Sequence, residues 1–359
     1  MTAITVEEVS CNLCGASDGK LFYEGEDARY ADTPRVRFRL VRCRSCGLIY
    51  LKPRPTQDSL PSYYPDDFAP YRQDTKEQPV GGSGLVRLSH VLWNKIDRLK
   101  DAQRVRLIEQ LHPEPGRVLD VGCATGRFLW QMQCRGWGVA GVEMNAAAAQ
   151  QASQALRAHI QPGTLNSARF VDANFDVVTM FHVLEHLPDP LWALRRIDSL
   201  LRPGGFVVIL VPNAKALEFS LLRGLDRNPV DIPRHLYHFS PTTLAELLRK
   251  AGLVPVLTKG FSWDAAPRVT RVLEYLVESW HPRSIAGRAI RSVYELTAFI
   301  LGTGISAICG GLATAGPAFF LVGQKMRLSM SSEDRDLAHQ KVVDRLLRKQ
   351  VPLQRRRSL

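Results

Sequence analysis

The sequence lacks the compositional extremes that would place it outside the globular proteins. Hydrophobic residues make up 45%, aromatic residues 8% and charged residues 23% of the 359 positions. This composition excludes wholesale disorder, collagen-like repetition and a polytopic membrane protein. No internal repeat is found. The length exceeds one average domain, so we expect one medium-sized domain with smaller attachments rather than a single small binding module.

The N-terminal segment lacks a positively charged start followed by an apolar run, which a secretory signal requires. We therefore expect a cytoplasmic protein.

Acidic residues are in the minority, with 35 against 47 lysines and arginines, so the formal net charge is +12. The last 35 residues contain ten basic and four acidic residues, which is half of the excess. Because the rest of the chain is only mildly basic, nucleic acid is not expected as a partner.

Cysteine is scarce, with seven residues, but four of them form two C-x-x-C pairs: Cys11, Cys14, Cys43 and Cys46. In a reducing compartment, such pairs indicate metal binding before disulfides. Two turns that each present two thiolates form the tetrahedral ligand set of a structural zinc. Gly15 and Gly47 follow the pairs, where such a turn needs a permissive backbone. The pattern predicts structural zinc, with iron, redox activity or a lost metal as alternatives.

The order of apolar segments divides the chain into four parts. Residues 1–52 hold the cysteine pairs and short alternating segments typical of a small zinc-ribbon-like β module, and residues 53–84 are predicted as a linker. From residue 85 to 325, strands alternate with helices, which indicates an α/β domain with a doubly wound, mostly parallel sheet. Residues 267–315 are interpreted as a helical insertion in it, and residues 326–359 as a basic amphipathic tail.

The strongest motif is VLDVGCATGRFL, where an apolar strand ends at Asp120 and continues through Gly122, Ala124 and Gly126 into a helix. Small residues let the backbone turn sharply and approach a ligand closely. A second strand ends at Glu143, 23 residues after Asp120, where an acid can hydrogen-bond both hydroxyls of a ribose. This order predicts a nucleotide-like ligand. A tight turn in an α/β domain without such a ligand is the alternative.

These residues resemble the class I S-adenosylmethionine (SAM)-dependent methyltransferases, from about Arg117 to Lys325. The family's fingerprint is an acid ending the first strand, a G-x-G-x-G type loop and an acid ending the second strand. Ala124 here stands where glycine is commoner. The segments FDVVTMFHVLEHLPDP and LLRPGGFVVILVPN are further matches. The resemblance implies a seven-stranded Rossmann-like sheet and SAM as the cofactor.

The resemblance also implies roles for individual residues by position. Asp120 is expected near the methionine amino group of SAM, Glu143 at the ribose and Met144 beside the adenine. The expected cofactor-binding residues are Asp120, Gly122, Cys123, Gly126, Glu143, Met144, Thr164, Leu165 and Phe181. Methyl transfer from a sulfonium is an in-line displacement, so the protein is expected mainly to align the reacting atoms.

Histidines lie in two motifs that the resemblance places beside the transferred methyl group. His182 and His186 belong to HVLEHL, and His235 and His238 belong to RHLYHF. Histidine readily removes a proton near neutral pH, so the candidate catalytic residues are His235, His186 and His182. The alternative is that Glu185 and His186 only tie a strand to a neighbouring loop. Ubiquinone-pathway O-methyltransferases hold magnesium with a similar E-x-x-E-H segment, but His182 replaces its first oxygen ligand, so a magnesium requirement is not expected.

The chain is similar to a bacterial subgroup of this family that acts mainly on small molecules, including sugars, lipids and quinone precursors. The matching segments are RCRSCGLIYLKPRP and DIPRHLYHFSPTTLAELLRKAGL. The resemblance implies a small-molecule acceptor, which could be a saccharide, a quinone-like compound or a lipid-linked molecule. An RNA methyltransferase and a catalytically inactive scaffold of the same fold are the alternatives, and the oligomeric state is left open.

Charge is absent from Leu296 to Gln324, a run of 29 residues that is long enough to span a membrane. Several glycines interrupt the run, and its end, AFFLVG, has the pattern of a closing strand of the sheet. Three interpretations stay open: a buried helix plus strand, an interfacial hairpin, and a true span. An interfacial hairpin with the basic tail would put the protein peripherally on the inner face of the membrane.

Overall fold

A seven-stranded sheet forms the centre of the protein. The computed structural model describes residues 4–27, 30, 33–64, 84–216, 231–261 and 318–326. The strand order is β12-β13-β10-β9-β6-β7-β8. The strands are β6 (Arg117–Val121), β7 (Gly138–Glu143), β8 (His159–Pro162), β9 (Phe175–Phe181), β10 (Leu201–Pro212), β12 (Leu253–Phe261) and β13 (Ala318–Lys325). Strands β6 to β10 run parallel, and the predicted α/β class with a mostly parallel seven-stranded sheet is confirmed.

The central strands are continuous apolar runs because helices or further layers cover both faces of the sheet. Residues 205–211 of β10 and 318–323 of β13 are buried. Strand β13 lies antiparallel between β10 and β12. The prediction that AFFLVG closes the sheet is therefore confirmed.

The helices in the described ranges are α1 (Gly84–Leu111), α2 (Arg127–Gln133), α3 (Ala146–Leu156), α4 (Pro190–Leu200) and α5 (Pro241–Lys250). Three of these five helices, α3, α4 and α5, begin where a side chain accepts a hydrogen bond from a free backbone amide. Asn145 accepts a hydrogen bond from the Ala148 amide at the start of α3, and Asp189 accepts one from the Trp192 amide at the start of α4. Asp189 is thus the last residue of the loop that follows β9, and α4 begins directly after it.

The N-terminal region is a small β module. Its strands are β1 (Val6–Glu7), β2 (Gly19–Gly25), β3 (Phe38–Cys43), β4 (Ile49–Leu51) and β5 (Arg54–Pro55). A second sheet has the order β11-β4-β3-β2, in which β11 (Tyr237–His238) comes from the far end of the chain. The module therefore shares a sheet with the segment that follows β10.

Two apolar clusters stabilise the fold. One combines module residues such as Phe38 and Tyr50 with Leu119 of β6 and Leu244 of α5. The other lies on the opposite face of the sheet, among α1, α2 and α3. Because the first cluster is continuous, the module and the large sheet are packed together as one body.

Several sequence predictions fall outside the described residues, namely the helical insertion at 267–315 and all but the first residue of the tail at 326–359. The domain boundaries stay predictions. Of the predicted linker, residues 53–64 and Gly84 are described, and Tyr63 is fully buried in a 3-10 turn at Leu60–Tyr63. Within the described ranges, no helix has the length and apolar character needed to cross a membrane.

Candidate functional site

The loop after β6 takes a backbone shape that favours small residues. Gly122, Ala124 and Gly126 have φ angles of 74°, 47° and 80°, which lie in the left-handed region. A Cβ atom on Gly122 would lie 2.5 Å from Cγ2 of Val183, so a side chain there would force the next layer to move. Ala124 adopts this conformation despite its methyl group, at a cost of about 1 kcal/mol.

Glu143, at the end of β7, holds this loop in place. Its carboxylate oxygens accept hydrogen bonds from the backbone amides of Ala124, at 2.9 Å, and Asn145, at 2.8 Å. Burial raises the pKa of Glu143, and the backbone hydrogen bonds oppose that shift. The side chain therefore joins the ends of two neighbouring parallel strands, where ligands bind in sheets of this kind.

Asp120 is a buried carboxyl beside the loop. Thr179 of β9 donates a hydrogen bond of 2.6 Å to its Oδ1 atom. Burial raises the pKa of Asp120 to about 7, while Thr179 and Arg104 lower it and Glu143 raises it. A desolvated carboxyl of this kind is stabilised when a positively charged ligand group binds next to it, so the site fits a cation such as an amine.

Arg104 of α1 is a candidate that sequence reasoning missed. Asp101, which is buried, pairs with Arg104 at 3.1 Å and with Arg127 at 2.7 Å. The Arg104 guanidinium lies 4.7 Å from the ring centroid of Phe181, and its buried Nε atom has no hydrogen-bond partner among the described residues. The only sequence signal was an Asp and an Arg three residues apart on an amphipathic helix. The guanidinium could bind a ligand carboxylate.

The side chains of the other predicted cofactor-binding residues differ in their exposure to solvent. Met144 is 51% exposed, Thr164 is exposed, and Leu165 is packed in an apolar cluster. The thiol of Cys123 is buried, and burial raises its pKa. The ring of Phe181 packs edge-on against Phe128, with centroids 5.0 Å apart. Met144 and Thr164 are thus accessible to a ligand, whereas the Leu165 side chain is not.

The predicted histidines come together beyond the end of β9. The His186 ring lies 4.7 Å from that of His235, and the His235 ring lies 5.9 Å from that of His238. Asp231 Oδ2 lies 3.6 Å from His235 Nε2. Burial lowers the pKa of His186 and of His235, so both rings are neutral near pH 7. Neutral imidazoles can accept a proton.

His182 and Glu185 complete this histidine cluster, defined here as His182, Glu185, His186, His235 and His238. The His182 Nδ1 atom lies 3.4 Å from Glu185 Oε1. The Glu185 carboxylate is buried, and neither of its oxygens has a hydrogen-bond partner within the described ranges. Glu185, His186 and His235 offer ligand atoms within 4.8 Å of one another, so they could hold a metal ion. Two imidazole nitrogens suit zinc better than magnesium.

The segment from residue 231 to 238 is held by a buried ion pair. Arg234 NH2 donates to Asp27 Oδ1 at 2.9 Å, and both side chains are 0% exposed. Arg234 also pairs with Asp231 at 2.7 Å and donates to the Tyr63 carbonyl at 3.0 Å. Sequence reasoning missed this pair because its members are 207 residues apart.

The four cysteines of the C-x-x-C pairs converge, with sulfur atoms within 4.8 Å of one another. Gly15 and Gly47, with φ angles of 78° and 77°, follow the two pairs, and their amides bond to the Cys11 and Cys43 carbonyls. Four thiolates arranged in this way form a ligand set for tetrahedral zinc. This agrees with the spacing of the pairs in the sequence.

Comparisons with known proteins agree with this geometry. Residues 92–258 match a family model described as a methyltransferase domain. The ubiquinone biosynthesis O-methyltransferase of Paracidovorax citrulli is 30% identical over 208 residues, covering 53% of this chain and 87% of the relative. That of Ralstonia nicotianae is 30% identical over 195 residues, covering 49% and 82%. A solved structure of geranyl diphosphate methyltransferase in complex with SAM is 16% identical and covers 70% of this chain and 93% of its own, with a TM-score of 0.45.

Proposed function

The chain belongs to the class I S-adenosylmethionine-dependent methyltransferases, and from that premise we propose that it methylates a hydroxyl group of a small, quinone-like acceptor. The relatives named ubiquinone biosynthesis O-methyltransferase support a phenolic acceptor. Saccharides and lipid-linked compounds are the next acceptors to assay. An acceptor with a lipid tail would bring the enzyme to a membrane surface, which suits the basic tail.

One observation carries the proposal: strand β9 joins a cation-binding side to a proton-accepting side. Thr179 in β9 hydrogen-bonds the buried Asp120, and His182 and His186 follow directly after the strand. A sulfonium cofactor with an ammonium group needs the first side, and a hydroxyl acceptor that loses a proton needs the second. Both needs are met within one strand and the turn after it.

On the cofactor side, the Asp120 carboxylate accepts a hydrogen bond from the ammonium group of SAM. The Glu143 carboxylate accepts hydrogen bonds from the ribose hydroxyls, through the lone pairs that are not used by its two hydrogen bonds to backbone amides. The backbone of Gly122, Cys123 and Gly126 lines the methionine portion. The raised pKa of Asp120 and the left-handed loop support these roles. Bound SAM supplies an activated methyl group.

The adenine and carboxylate positions are assigned to the rim of the same site. Met144 covers the adenine, Thr164 and Leu165 border it through the backbone, and Phe181 closes the pocket. Arg104 holds the cofactor carboxylate. Its position over the Phe181 ring and its unpaired Nε atom support this role.

On the acceptor side, the histidine cluster takes the proton of the hydroxyl. His235 and His186 are the first candidates for the base, and His182 is the third. The burial that keeps the His186 and His235 rings neutral supports this role. By taking this proton, the histidine cluster would prepare the acceptor oxygen to receive the methyl group that bound SAM would supply.

The N-terminal module holds one structural zinc through Cys11, Cys14, Cys43 and Cys46. Four protein ligands leave no coordination position for a substrate, so this zinc acts on the fold. The proposed organisation is a zinc-ribbon-like module at 1–52, a connection at 53–84, a methyltransferase domain at 85–325 and a tail at 326–359.

The test combines binding and transfer. Calorimetry with SAM should show one site per chain, and methyl-tritiated SAM should then label a catechol in a panel of phenols, saccharides and RNA. Label in the phenol would support the proposal. Absence of SAM binding would contradict the proposal. Labelling of RNA alone would show that the acceptor is RNA and not a small molecule.

A further inference from the structure

We infer that the N-terminal module and the first residues of the connection after it form a wall of the acceptor site, and that Tyr64 of this connection is a positioning residue that orients His186. The inference rests on the proposed function, since it assumes that the acceptor loses its proton at the histidine cluster. It assigns the module a role in the reaction beyond holding zinc.

The first module contacts fall on the loop between β9 and α4. Asn12, which lies between Cys11 and Cys14, donates to Asp189 Oδ1 at 2.9 Å and accepts from the Leu191 amide at 3.0 Å. Arg54 donates to the Pro188 carbonyl at 2.7 Å. These positions directly follow the turn at Leu184–His186. One cysteine pair and β5 therefore support the segment that carries His186.

The second group of contacts falls on the segment that carries His235 and His238. Strand β4 pairs with β11, and the Leu51 amide donates to the Leu236 carbonyl at 2.9 Å. The buried pair between Asp27 and Arg234 fixes the same segment from the side. Removing one partner of a buried ion pair leaves an uncompensated buried charge and strongly destabilises the fold, so this contact holds the segment firmly in place.

The cofactor side is held by its own bonds. The Gly122 amide donates to the Val142 carbonyl at 2.8 Å, and the Ala124 amide donates to Glu143. These contacts join β6 to β7 without using module residues. A change in the module should therefore disturb the histidine cluster before it disturbs SAM binding.

Tyr64, in the connection that follows the module, contacts a candidate base directly. Its hydroxyl lies 2.9 Å from His186 Nδ1, and the Arg234 carbonyl lies 3.0 Å from the same nitrogen. A carbonyl can only accept, so Nδ1 carries the proton and shares it between the two oxygens. Nε2 is then the nitrogen with the free lone pair, which is the form a base requires. Tyr64 thus helps to select the reactive tautomer.

Tyr64→Phe removes this contact, and Tyr63→Phe is a matched control. The Tyr63 hydroxyl is buried in the same turn and has no hydrogen-bond partner in the described part of the chain. Both variants lose one hydroxyl, from the last residue of the 3-10 turn and from the residue that caps it, so an unspecific effect on folding should be similar in the two.

The readout is the tautomer of His186, measured by NMR on full-length protein labelled with ¹⁵N-histidine, with a His186→Gln spectrum for assignment. Wild type and Tyr63→Phe should show the Nδ1–H tautomer. Tyr64→Phe should show a smaller fraction of it, because one of the two oxygens that share the Nδ1 proton is lost while the Arg234 carbonyl remains. SAM affinity should stay within about threefold in both variants. Once an acceptor is identified, turnover should fall about tenfold in Tyr64→Phe alone.

An Nε2–H tautomer in wild type, or an unchanged tautomer in Tyr64→Phe, would overturn the inference. Metal removal provides a second test. In the Cys43→Ser/Cys46→Ser variant, amide hydrogen exchange should accelerate at residues 184–191 and 231–239 while SAM still binds. Unchanged exchange there would equally overturn it. Failure of wild type to bind SAM would instead contradict the proposed function.

Discussion

The two sides of the proposed site, the proposed cofactor side and the proposed acceptor side, differ in how far apart their residues lie in the sequence. The cofactor side is built mainly from one stretch, residues 117–145, in which β6, its loop and the end of β7 follow one another. The acceptor side joins Tyr64, His186 and His235 from three distant regions. The cofactor side is thus formed within one supersecondary unit. The acceptor side forms only when the N-terminal region docks on the large sheet.

The two sides also differ in charge. Asp120 and Glu143 are buried carboxyls whose pKa values are raised by burial, and a cation can stabilise them. His186 and His235 are neutral rings whose pKa values are lowered by burial. The first side suits binding and the second suits proton removal, so substitutions on the two sides should affect different steps. The predictions below test this separation.

The largest effect is expected in the module. Cys43→Ser/Cys46→Ser should remove the zinc entirely, from about one per chain to none, because two of four ligands are lost. Elemental analysis of protein purified without chelator under reducing conditions measures this. Cys134→Ser, which changes an exposed cysteine, is the control. No zinc in the wild type would rule out the zinc site and leave the assignment to the methyltransferase family intact.

On the acceptor side, His235→Ala should lower turnover by about 100-fold or more, with SAM affinity within a few-fold, because a base acts in the transition state. Methyl-transfer rates and calorimetry measure the two quantities. His159→Ala changes an exposed histidine on β8 and is the control. Near-normal turnover, or a parallel loss of cofactor binding, would identify His235 as structural and shift the base to His186 or His182.

On the cofactor side, Glu143→Ala should weaken SAM binding by about 1.5 to 3 kcal/mol, because a charge-assisted contact is lost. Glu143→Gln is the matched variant, since it keeps the shape of the side chain and one acceptor oxygen, loses the charge, and leaves one of the two backbone amides without an acceptor. It should give an intermediate loss in calorimetry. Wild-type affinity in both variants would remove Glu143 from the site.

The smallest effect concerns pH. Burial raises the pKa of Asp120 to about 7, so its carboxyl is ionised above this pH and protonated below it. Only the ionised form pairs with the ammonium of SAM, so affinity should fall by about twofold from pH 8 to pH 7 and by about fivefold from pH 7 to pH 6. Calorimetry at pH 8, 7 and 6 measures the trend. Asp120→Asn should bind weakly at all three, and an unchanged wild-type affinity would refute the role of Asp120.

Sequence reasoning identified which residues lie together where the signal is local. The strand, glycine loop and acid pair lie within 27 residues, and the C-x-x-C spacing is independent of the rest of the fold. It also placed β13 correctly, because an uncharged apolar run fits a sheet buried on both faces. These features need only periodicity and residue chemistry.

Other features could not be predicted because they arise from docking. The pair between Asp27 and Arg234 joins positions 207 residues apart, and a sequence does not reveal which buried charges meet. The pairing of β4 with β11 and the contact of Tyr64 with His186 depend on the same docking. Arg104 was missed for a different reason, since its spacing fits any amphipathic helix.

Amide hydrogen exchange of the full-length protein with and without SAM tests the central separation most directly. SAM should protect residues 117–126 and 143–145, because the ligand would lie against these backbone amides. Residues 184–191 and 231–238 should change much less in the absence of an acceptor. Protection confined to the second group, or to the cysteine module, would contradict the assignment of the cofactor to Asp120 and Glu143.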